Sequence, residues 1–372
     1  MYDVLIVGSG VIGMSIARDL YDHDDLSIAV IDRDIPGLHA SYKAGGMLGA
    51  QNEFTENTYL FQLALQSRKK FKALSHELYE ETGIDIHYQS EGLIKMAASQ
   101  DDIDNLNMQL NFLNAHDKDV ARLDKQSLAQ LSNSNITYHN HAIYIPKDGQ
   151  INASQYTKAL LKSIEQKGIH RFYQTEVSSL ERVQDTYRVQ TSKGTLNAKK
   201  VIIAAGAWSD QLLQDYNIST EITGIKGEVL LLEQPQLDLK QTLFMTNGCY
   251  IVPKHLNRFL VGATSYKDDF SVGTTTKGED WLFNEATTYI PSLANSKVIH
   301  KWSGIRPFTL NEWPIMDEID NGLFLVTGHY RNGILLSPII GELVSDWIRN
   351  QQRPSLLNHF KAERSSYYEM HH

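Results

Sequence analysis

A glycine-rich turn near the start of the chain constrains the fold more than any other feature. The apolar residues 4–7 lead into residues 8–13 (GSGVIG), and residues 14–20 continue with helical spacing. A second apolar run, residues 28–31, stops at Asp32, 19 residues after Gly13. This order predicts a strand, a tight turn, a helix, a second strand and an acidic residue, which together form a dinucleotide-binding βαβ unit.

Each residue of this unit has a physical task. Gly8 permits the tight turn, Gly10 lets the backbone approach a pyrophosphate, and Gly13 lets the helix pack close to the sheet. The free N–H groups at the start of the helix then face the negative phosphates. Asp32 can accept hydrogen bonds from ribose hydroxyls, which disfavours NADP and leaves NAD and FAD as candidates.

The following segment distinguishes between these two cofactors. Residues 39–50 (HASYKAGGMLGA) are small and glycine-rich, and they come before a third strand of a nicotinamide-binding domain could be completed. We expect a long loop here, and a flat isoalloxazine ring fits along the backbone of such a loop, so this segment favours FAD. The apolar residues 201–204 lead into Ala205, Gly206 and Trp208, a second place where backbone would lie against an extended ligand.

The rest of the pattern predicts an α/β protein with two interleaved domains. Helical spacing covers residues 57–82, 101–116 and 153–168, and a last helix is expected over 339–348. Residues 86–98 indicate two strands around Glu91-Gly92, and residues 221–265 indicate antiparallel strands. We predict a doubly wound, Rossmann-like FAD-binding domain with the GxGxxG turn, and an α+β substrate domain built on an antiparallel sheet. The first domain would comprise residues 1–85, 147–219 and 322–372, and the second residues 86–146 and 220–321.

Composition excludes several classes of partner. The 372 residues include 35 Lys+Arg and 44 Asp+Glu, a net charge of −9 with the basic residues spread along the chain. This argues against nucleic acid or an anionic membrane as the main partner. The single cysteine, Cys249, excludes an internal disulfide and fits a reducing compartment, so a cytoplasmic location is expected. No metal is predicted, because the histidines lack metal-ligand spacing.

Five further motifs bring in a family resemblance. They are residues 44–50 (AGGMLGA), 205–209 (AGAWS), 249–253 (CYIVP), 302–307 (WSGIRP) and 328–336 (GHYRNGILL). With the glycine turn, and in the same order along essentially the whole chain, they resemble the glycine oxidases of the D-amino acid oxidase and sarcosine oxidase group of flavoproteins. The resemblance implies an enzyme with non-covalent FAD that oxidises glycine, sarcosine or small D-amino acids, often serving thiazole formation in thiamine biosynthesis. It also implies hydride transfer from substrate Cα to flavin N5, reoxidation by O₂ to H₂O₂, and an assembly of identical chains.

The resemblance also assigns site residues. Its substrate positions fall on Tyr250, Arg306, Arg331 and Met47, of which the first three are the candidate catalytic residues. Its cofactor positions, beyond the glycine turn, fall on Val11, Ile12, Asp32, Arg33, Ala40, Ser41, Gly45, Gly46, Met47, Val177, His329, Tyr330, Arg331, Asn332, Gly333, Ile334 and Leu335.

The chemistry of the substrate positions fits an amino acid. An arginine binds a carboxylate through a two-pronged, charge-assisted contact, and Arg306 lies at the end of a predicted strand. Tyr250 can add a phenolic hydrogen bond, and the clamped substrate can then present its Cα–H to the flavin. Taken alone, an arginine beside a proline is more often a surface ion-pair residue, so the role rests on the motif. Arg331 would assist the flavin or close the site, and His329 is not expected to act as a base.

Several positions depart from the family pattern. Phe308 and Thr309 stand where some sarcosine oxidases carry a flavin-linked cysteine, and Cys249 should face away from Tyr250 on a strand, so a covalent flavin is not expected. Lys267 should share a strand face with Ser265, and a cation near flavin N5 would promote reaction with oxygen. Residues 245–248 (MTNG) replace a histidine-containing segment of the family, which leaves the size of the substrate open.

Two other classes of function remain open at this point. One is an amino acid dehydrogenase, of the D-proline or hydroxyproline type, that passes electrons to an acceptor other than oxygen. The other is a non-catalytic flavin-binding subunit, against which the presence of both Arg306 and Tyr250 argues.

Overall fold

Two large sheets and eight α-helices form the protein in the computed structural model, which describes residues 1–23, 25–36, 39–139, 141–216, 218 and 220–363. The helices are α1 (Val11–His23), α2 (Ala40–Lys43), α3 (Tyr59–Thr82), α4 (Ile103–His116), α5 (Lys125–Leu131), α6 (Ala153–Gln166), α7 (Thr276–Tyr289) and α8 (Gly333–Asn350). The strands are β1 (Tyr2–Val7), β2 (Ile28–Ile31), β3 (Met47–Leu48), β4 (Leu93–Met96), β5 (Ala121–Leu123), β6 (Ala142–Ile145), β7 (Gly149–Gln150), β8 (His170–Phe172), β9 (Val177–Val183), β10 (Thr186–Thr191), β11 (Gly194–Ile203), β12 (Thr223–Glu233), β13 (Thr242–Met245), β14 (Tyr250–Lys254), β15 (Arg258–Gly262), β16 (Tyr266–Lys267), β17 (Lys297–Phe308), β18 (Ile315–Asp320) and β19 (Leu323–Thr327).

The first sheet has a parallel centre. Its strands follow the order β18-β19-β11-β1-β2-β8, in which all neighbours pair in parallel except β18, which is antiparallel to β19. Strands β10 and β9 add an antiparallel extension to β11. The buried helices α1, α3, α6 and α8 share one hydrophobic cluster with one face of this sheet, and the β9–β10 extension contributes to the cluster on the other face. The predicted α/β class and glycine-turn unit are confirmed.

The second sheet is mostly antiparallel. Its order is β16-β12-β15-β14-β13-β4-β6-β5, with β17 on the other side of β12 and one parallel pair, β4 with β13. One face packs against α5 and α7 and the other against α4. A small sheet, β3 with β7, joins residues 47–48 to residues 149–150. In the sequence, each strand of this small sheet lies where the chain passes from one large sheet to the other, and β3 carries Met47.

Three predicted elements differ from the structure. Residues 86–98 contain one strand, β4, and a single bridge from Gln89 to Gln150, rather than two strands. Residues 39–50, expected as a loop, contain α2 and β3. The predicted domain boundary at 321/322 falls just after β18, yet β18 pairs within the first sheet. The last nine residues of the predicted first domain, 364–372, lie outside the described residues.

The last helix starts earlier than the sequence suggested. Helix α8 begins at Gly333 rather than 339 and contains Pro338. A proline inside a helix cannot donate to the carbonyl four residues before it, here that of Ile334. The hydroxyl of Ser337 donates to the Ile334 carbonyl at 2.8 Å instead, so the carbonyl keeps a partner and the helix continues. In the described part of the chain, no helix is both long and apolar enough to cross a membrane.

Close packing of α8 on α1 generates a prediction. A Cβ at Gly341 would lie 2.9 Å from the backbone oxygen of Ser15 in α1, and backbone cannot rotate away as a side chain can. Replacing a helical glycine by alanine normally stabilises by about 1 kcal/mol, but crowding of a packed core costs about 1–3 kcal/mol. We expect Gly341→Ala to destabilise the protein in urea unfolding. Gly333→Ala is the control, compared in protein freed of cofactor because residue 333 is a predicted cofactor position; its nearest neighbour would be an ordinary 3.7 Å away. A Gly341→Ala protein as stable as the control would contradict the packing described.

Candidate active site

The carboxyl ends of three parallel strands form the first part of the site. Val7 of β1 is in register with Ile31 of β2 and Ile203 of β11, so the residues that follow meet at one edge of the sheet. Gly8 has a φ of +115°, and a Cβ there would lie 2.3 Å from the Ala204 carbonyl oxygen. Only glycine fits this turn, which leaves the start of α1 open at the sheet edge.

Asp32 is held at the same edge by the turn itself. Its Oδ2 accepts hydrogen bonds from the backbone N–H of Ser9 at 2.8 Å and from the Ser9 hydroxyl at 2.6 Å. Its Oδ1 accepts from the backbone N–H of Asp34 at 3.0 Å. Oδ1 has a second lone pair, so the fixed carboxylate can also accept from a ribose hydroxyl.

Flat side chains surround the nucleotide end of the site. The Arg33 guanidinium lies 4.2 Å from the ring centroid of Trp208, and the His39 ring centroid is 5.0 Å from that of Trp208. Val177, at the start of β9, lines the same space. These surfaces can hold the planar base of a nucleotide whose ribose binds Asp32.

The central part of the site is backbone rather than side chain. Gly46 has a φ of +79°, and a Cβ there would lie 2.1 Å from the Ile151 carbonyl oxygen. The Ile151 N–H donates to the Gly46 carbonyl at 2.8 Å, which fixes the two chains together. Gly45 and Gly46 therefore border the site with backbone that carries no side chain, as a flat ring requires.

Two glycines on the second sheet make room for the substrate side chains. Tyr250 is paired with Gly262, where a Cβ would lie 2.6 Å from the tyrosine hydroxyl oxygen. The Arg306 side chain crosses to the next strand, where a Cβ at Gly227 would lie 2.3 Å from Nη2. Burial raises the pKa of the Tyr250 hydroxyl, and the nearby Arg306 guanidinium opposes this shift. The hydroxyl therefore stays protonated at neutral pH and can donate to an anion.

The two arginines of the site differ in their partners. Arg331 lies 3.8 Å from the Glu53 carboxylate, and 40% of its side chain is exposed. Arg306 is half-buried, lies beside the Tyr250 hydroxyl, and makes a long hydrogen bond of 3.4 Å to the Thr264 carbonyl. Within the described residues no carboxylate pairs with Arg306. Arg306 is thus the arginine that lacks a counter-charge and faces the site.

One continuous cavity connects all of these groups. It encloses about 2100 Å³ of empty space, counted out to its open mouth. The predicted residues that line it are Gly8, Gly10, Val11, Ile12, Asp32, Arg33, Ala40, Ser41, Gly45, Gly46, Met47, Val177, Ala205, Gly206, Trp208, Tyr250, Arg306, His329, Tyr330, Arg331, Asn332, Gly333 and Ile334. Gly13 and Leu335 do not line it. Gly13 packs under the turn, where a Cβ would lie 2.1 Å from the Gly8 oxygen, and Leu335 is 2% exposed in the helical core.

Several residues that line the cavity were not predicted from the sequence. Glu53, Phe244 and Gly227 all face the cavity. Glu53 follows the predicted flavin segment by three residues, so a carboxylate close behind that segment was a usable signal. Gly227 and Phe244 depend on which strands pair, which no local pattern shows. Asn247 also lines the cavity and lies in the segment that departs from the family pattern.

His329 is buried and neutral. It is 3% exposed, and its Nε2 has no hydrogen-bond partner. Burial lowers the pKa of His329 to about 3, because the charged imidazolium would lose its hydration. An imidazole that cannot take up a proton near neutral pH does not serve as a general base.

Two other sequence hypotheses have a clear location. Cys249 is fully buried in the cluster on one face of the second sheet, while Tyr250 belongs to the cluster on the opposite face. Ser265 lines the cavity, but Lys267 is exposed and outside the lining, with its Nζ 6.0 Å from the Phe308 ring centroid. Within the described residues, Asp32, Asp34 and His39 form the one cluster with metal-ligand spacing.

Comparisons with known proteins agree with this arrangement. The FAD-dependent oxidoreductase family (DAO) matches residues 3–347. A glycine oxidase from Geobacillus kaustophilus is 38% identical over 354 residues, 94% of each chain. A crystal structure of glycine oxidase from the same species superposes with a TM-score of 0.94 at 37% identity, covering 98% of each chain. A bifunctional protein ThiO/ThiG from Trichormus variabilis is 30% identical over 97% of this chain and 55% of its own length.

The glycine turn, Asp32 and the bare backbone at Gly45 define a nucleotide-binding oxidoreductase fold with room for a flat ring. The chain belongs to the FAD-dependent oxidoreductase family. The residues present fit FAD, because Asp32 is held beside a turn that leaves the start of α1 open, and glycines at 8, 13 and 46 allow backbone contacts that any Cβ would prevent.

The buried His329 gives a pH prediction. A histidine whose pKa is about 3 when folded and about 6.5 when unfolded contributes stability that is lost as pH falls from about 6.5 towards 3. Between pH 7 and pH 5 this loss is about 2 kcal/mol of unfolding free energy. We expect His329→Gln to lose correspondingly less stability over that interval, measured by urea unfolding. Equal losses in both proteins would show that His329 is charged in the folded state.

Proposed function

We propose that the protein is an oxidase of glycine and other small amines, such as sarcosine and small D-amino acids. The observation that carries this proposal is the unpaired Arg306, next to Tyr250, in the same cavity as the nucleotide cradle. An arginine without a carboxylate partner in a half-buried site favours an anionic ligand. The similarity to glycine oxidases supports the choice of an amino acid as that ligand.

The proposed cofactor contacts follow the cavity from end to end. Residues 8–12 and the start of α1 would hold the pyrophosphate, and Asp32 the ribose. Arg33, Val177 and Trp208 would enclose the adenine, while residues 45–47 and 329–334 would surround the flavin. We propose that FAD is bound non-covalently, because the thiol of Cys249 lies on the opposite face of the second sheet from Tyr250.

The proposed chemistry follows from where the substrate is held. Bound FAD supplies a two-electron acceptor, so that glycine loses two electrons and two protons, water hydrolyses the imine to glyoxylate and ammonia, and O₂ takes up the electrons as H₂O₂. Arg306 binds the substrate carboxylate, and the Tyr250 hydroxyl donates to the same group. Both side chains lie against glycine positions of a sheet, which holds them rigidly. Fixing the carboxylate in this way orients the substrate Cα–H, and positioning of this kind supplies much of the rate enhancement.

The outer wall of the substrate end would limit substrate size. Arg331 and Glu53 face each other there, so their charges largely cancel and Arg331 does not compete with Arg306 for the substrate carboxylate. Met47 and Phe244 add apolar surface to the same cavity. We therefore assign small amines to this space and give Arg331 the role of closing it.

Cellular context extends the proposal. The resemblance to glycine oxidases that serve thiazole formation, together with the similarity to a ThiO/ThiG protein, supports a role in thiamine biosynthesis. We further propose that the protein is cytoplasmic and that it forms a homo-oligomer. Size-exclusion chromatography with light scattering measures the mass of the assembly and tests the second proposal.

The direct test of the proposal is reduction of the bound flavin. The purified protein should show flavin absorbance that bleaches on anaerobic addition of glycine, and admission of air should restore it with release of H₂O₂. Bleaching without reoxidation by air would identify a dehydrogenase instead. A bound flavin that none of glycine, sarcosine, D-alanine or D-proline bleaches would identify a non-catalytic subunit.

The carboxylate clamp predicts the effect of two substitutions. Arg306→Met should lower kcat/KM for glycine by about a hundredfold or more, because the substrate carboxylate loses its charged partner. Tyr250→Phe removes only a hydroxyl and should cost about tenfold. Steady-state peroxide production measures both, and the flavin content of each variant serves as the control for folding. Near wild-type turnover of glycine by Arg306→Met would rule out the clamp.

A further inference from the structure

Lys254 makes three hydrogen bonds that the proposed reaction does not use. Its Nζ donates to the Gly45 carbonyl at 2.7 Å, to the Ile151 carbonyl at 2.8 Å and to the Gln150 side-chain oxygen at 2.7 Å. A lysine ammonium has three N–H donors, and each has an acceptor here. Fold stability alone does not require so specific an arrangement.

The Lys254 ammonium has no counter-charge. All three acceptors are neutral, and within the described residues no carboxylate pairs with it. Burial lowers the pKa of Lys254 to about 7, which reflects the cost of keeping a charge away from water. What the ammonium adds is geometry, since it ties three groups to one point.

These three groups belong to the Gly45–Met47 segment, which lines the cavity, and to the chain that pairs with it. Gly46 and Ile151 are in tight contact, and the Ile151 N–H donates to the Gly46 carbonyl. The two carbonyls that Lys254 binds belong to Ile151 itself and to Gly45, the residue before Gly46. Gln150 is oriented for its role, because its Nε2 donates to the Gln89 side chain at 2.8 Å and also to the Pro253 carbonyl. Its remaining oxygen therefore faces Lys254.

Lys254 itself belongs to the substrate side. It ends β14, the strand that begins at Tyr250, and residues four apart on a strand share a face. The Tyr250 ring packs on Gly45, where a Cβ would lie 3.1 Å from the ring. Strand β14 therefore contacts the Gly45–Met47 segment at two points, through the Tyr250 ring and through the Lys254 ammonium.

We propose that Lys254 is a positioning residue that fixes the substrate-binding strand β14 relative to the flavin-holding segment at Gly45–Met47. The structure shows the hydrogen bonds that form this link. The assignment of β14 to the substrate and of Gly45–Met47 to the flavin rests on the proposed function. Loss of the link lets Tyr250 shift relative to the flavin, while Arg306, on β17, still binds the carboxylate. Substrate binding is then retained and its alignment is lost.

The test compares Lys254→Met with Lys254→Arg and with a matched control. The ammonium of Lys200 also donates a hydrogen bond to a backbone carbonyl, that of Ile348 at 2.7 Å. Because Lys200 does not line the cavity, Lys200→Met is the control. For Lys254→Met we expect anaerobic flavin reduction by glycine to slow by about tenfold to a hundredfold, the cost of a displacement of about 1 Å. The dissociation constants of FAD and of acetate should stay within about twofold of the wild type, which places the loss in alignment rather than binding.

One further readout does not depend on turnover. The visible circular dichroism of bound flavin should change in Lys254→Met, because the backbone beside the ring moves, and should return towards the wild type in Lys254→Arg. Lys200→Met should match the wild type throughout. If Lys254→Met does not fold, Lys254→Gln, with too few donors for three acceptors, replaces it with the same expected result.

Separate outcomes identify which proposal fails. Unchanged reduction rate and dichroism in Lys254→Met would overturn the positioning role. Lower FAD affinity and lower thermal stability with an unchanged reduction rate per bound flavin would also overturn it, since that pattern marks ordinary structural support. A wild-type flavin that glycine does not reduce would overturn the oxidase proposal, and the dichroism comparison would still decide the role of Lys254.

Discussion

The site depends on backbone segments that approach each other more closely than any side chain permits. At Gly8 the turn after β1 meets the Ala204 carbonyl, and at Gly46 the chain meets the Ile151 carbonyl. The first contact leaves the sheet edge and the start of α1 open to a pyrophosphate. The second brings the segment between the two sheets against strand β14. Without both contacts, the nucleotide cradle and the substrate side chains would not border one cavity.

Charge within the cavity follows a consistent arrangement. The Glu53 carboxylate offsets Arg331, and the loop that carries Glu53 is itself held by a fully buried carboxylate, Asp148. Asp148 accepts from the Asn52 N–H at 2.8 Å and pairs with Arg68 at 2.5 Å. Arg306 has no such partner. A cavity with one guanidinium that lacks a counter-charge favours the binding of a single carboxylate, and a small amino acid carries one.

Local features of the sequence predicted much of the nucleotide end. The order of strand, glycine turn, helix and Asp32 depends on residues close together in the chain, so periodicity and spacing were sufficient to locate it. The same holds for β14, whose alternation correctly separated Cys249 from Tyr250. The expected start of the last helix, at residue 339, was wrong. Helix α8 begins at Gly333 and continues through Pro338, where the Ser337 hydroxyl replaces the missing donor.

The substrate end depended on pairing between distant strands. The space for Arg306 exists because β12 places Gly227 beside β17, and the space for Tyr250 because β15 places Gly262 opposite it. Neither glycine has a local signal that marks it as part of a site. The pairing of β18 with β19 also depends on strands whose partners no local pattern shows. Because this pairing puts β18 in the first sheet, we propose that the domain boundary lies before residue 315.

The central claim is that one cavity holds the flavin at Gly45–Met47 and the substrate carboxylate at Arg306 and Tyr250. A crystal structure of the protein with FAD and glycolate, a carboxylate of similar size to glycine, tests it most directly. We predict that the glycolate carboxylate forms a two-pronged contact with the Arg306 guanidinium and accepts a hydrogen bond from Tyr250, beside the flavin ring. A carboxylate bound to Arg331 instead, or a flavin ring away from the Gly45–Met47 backbone, would contradict the account.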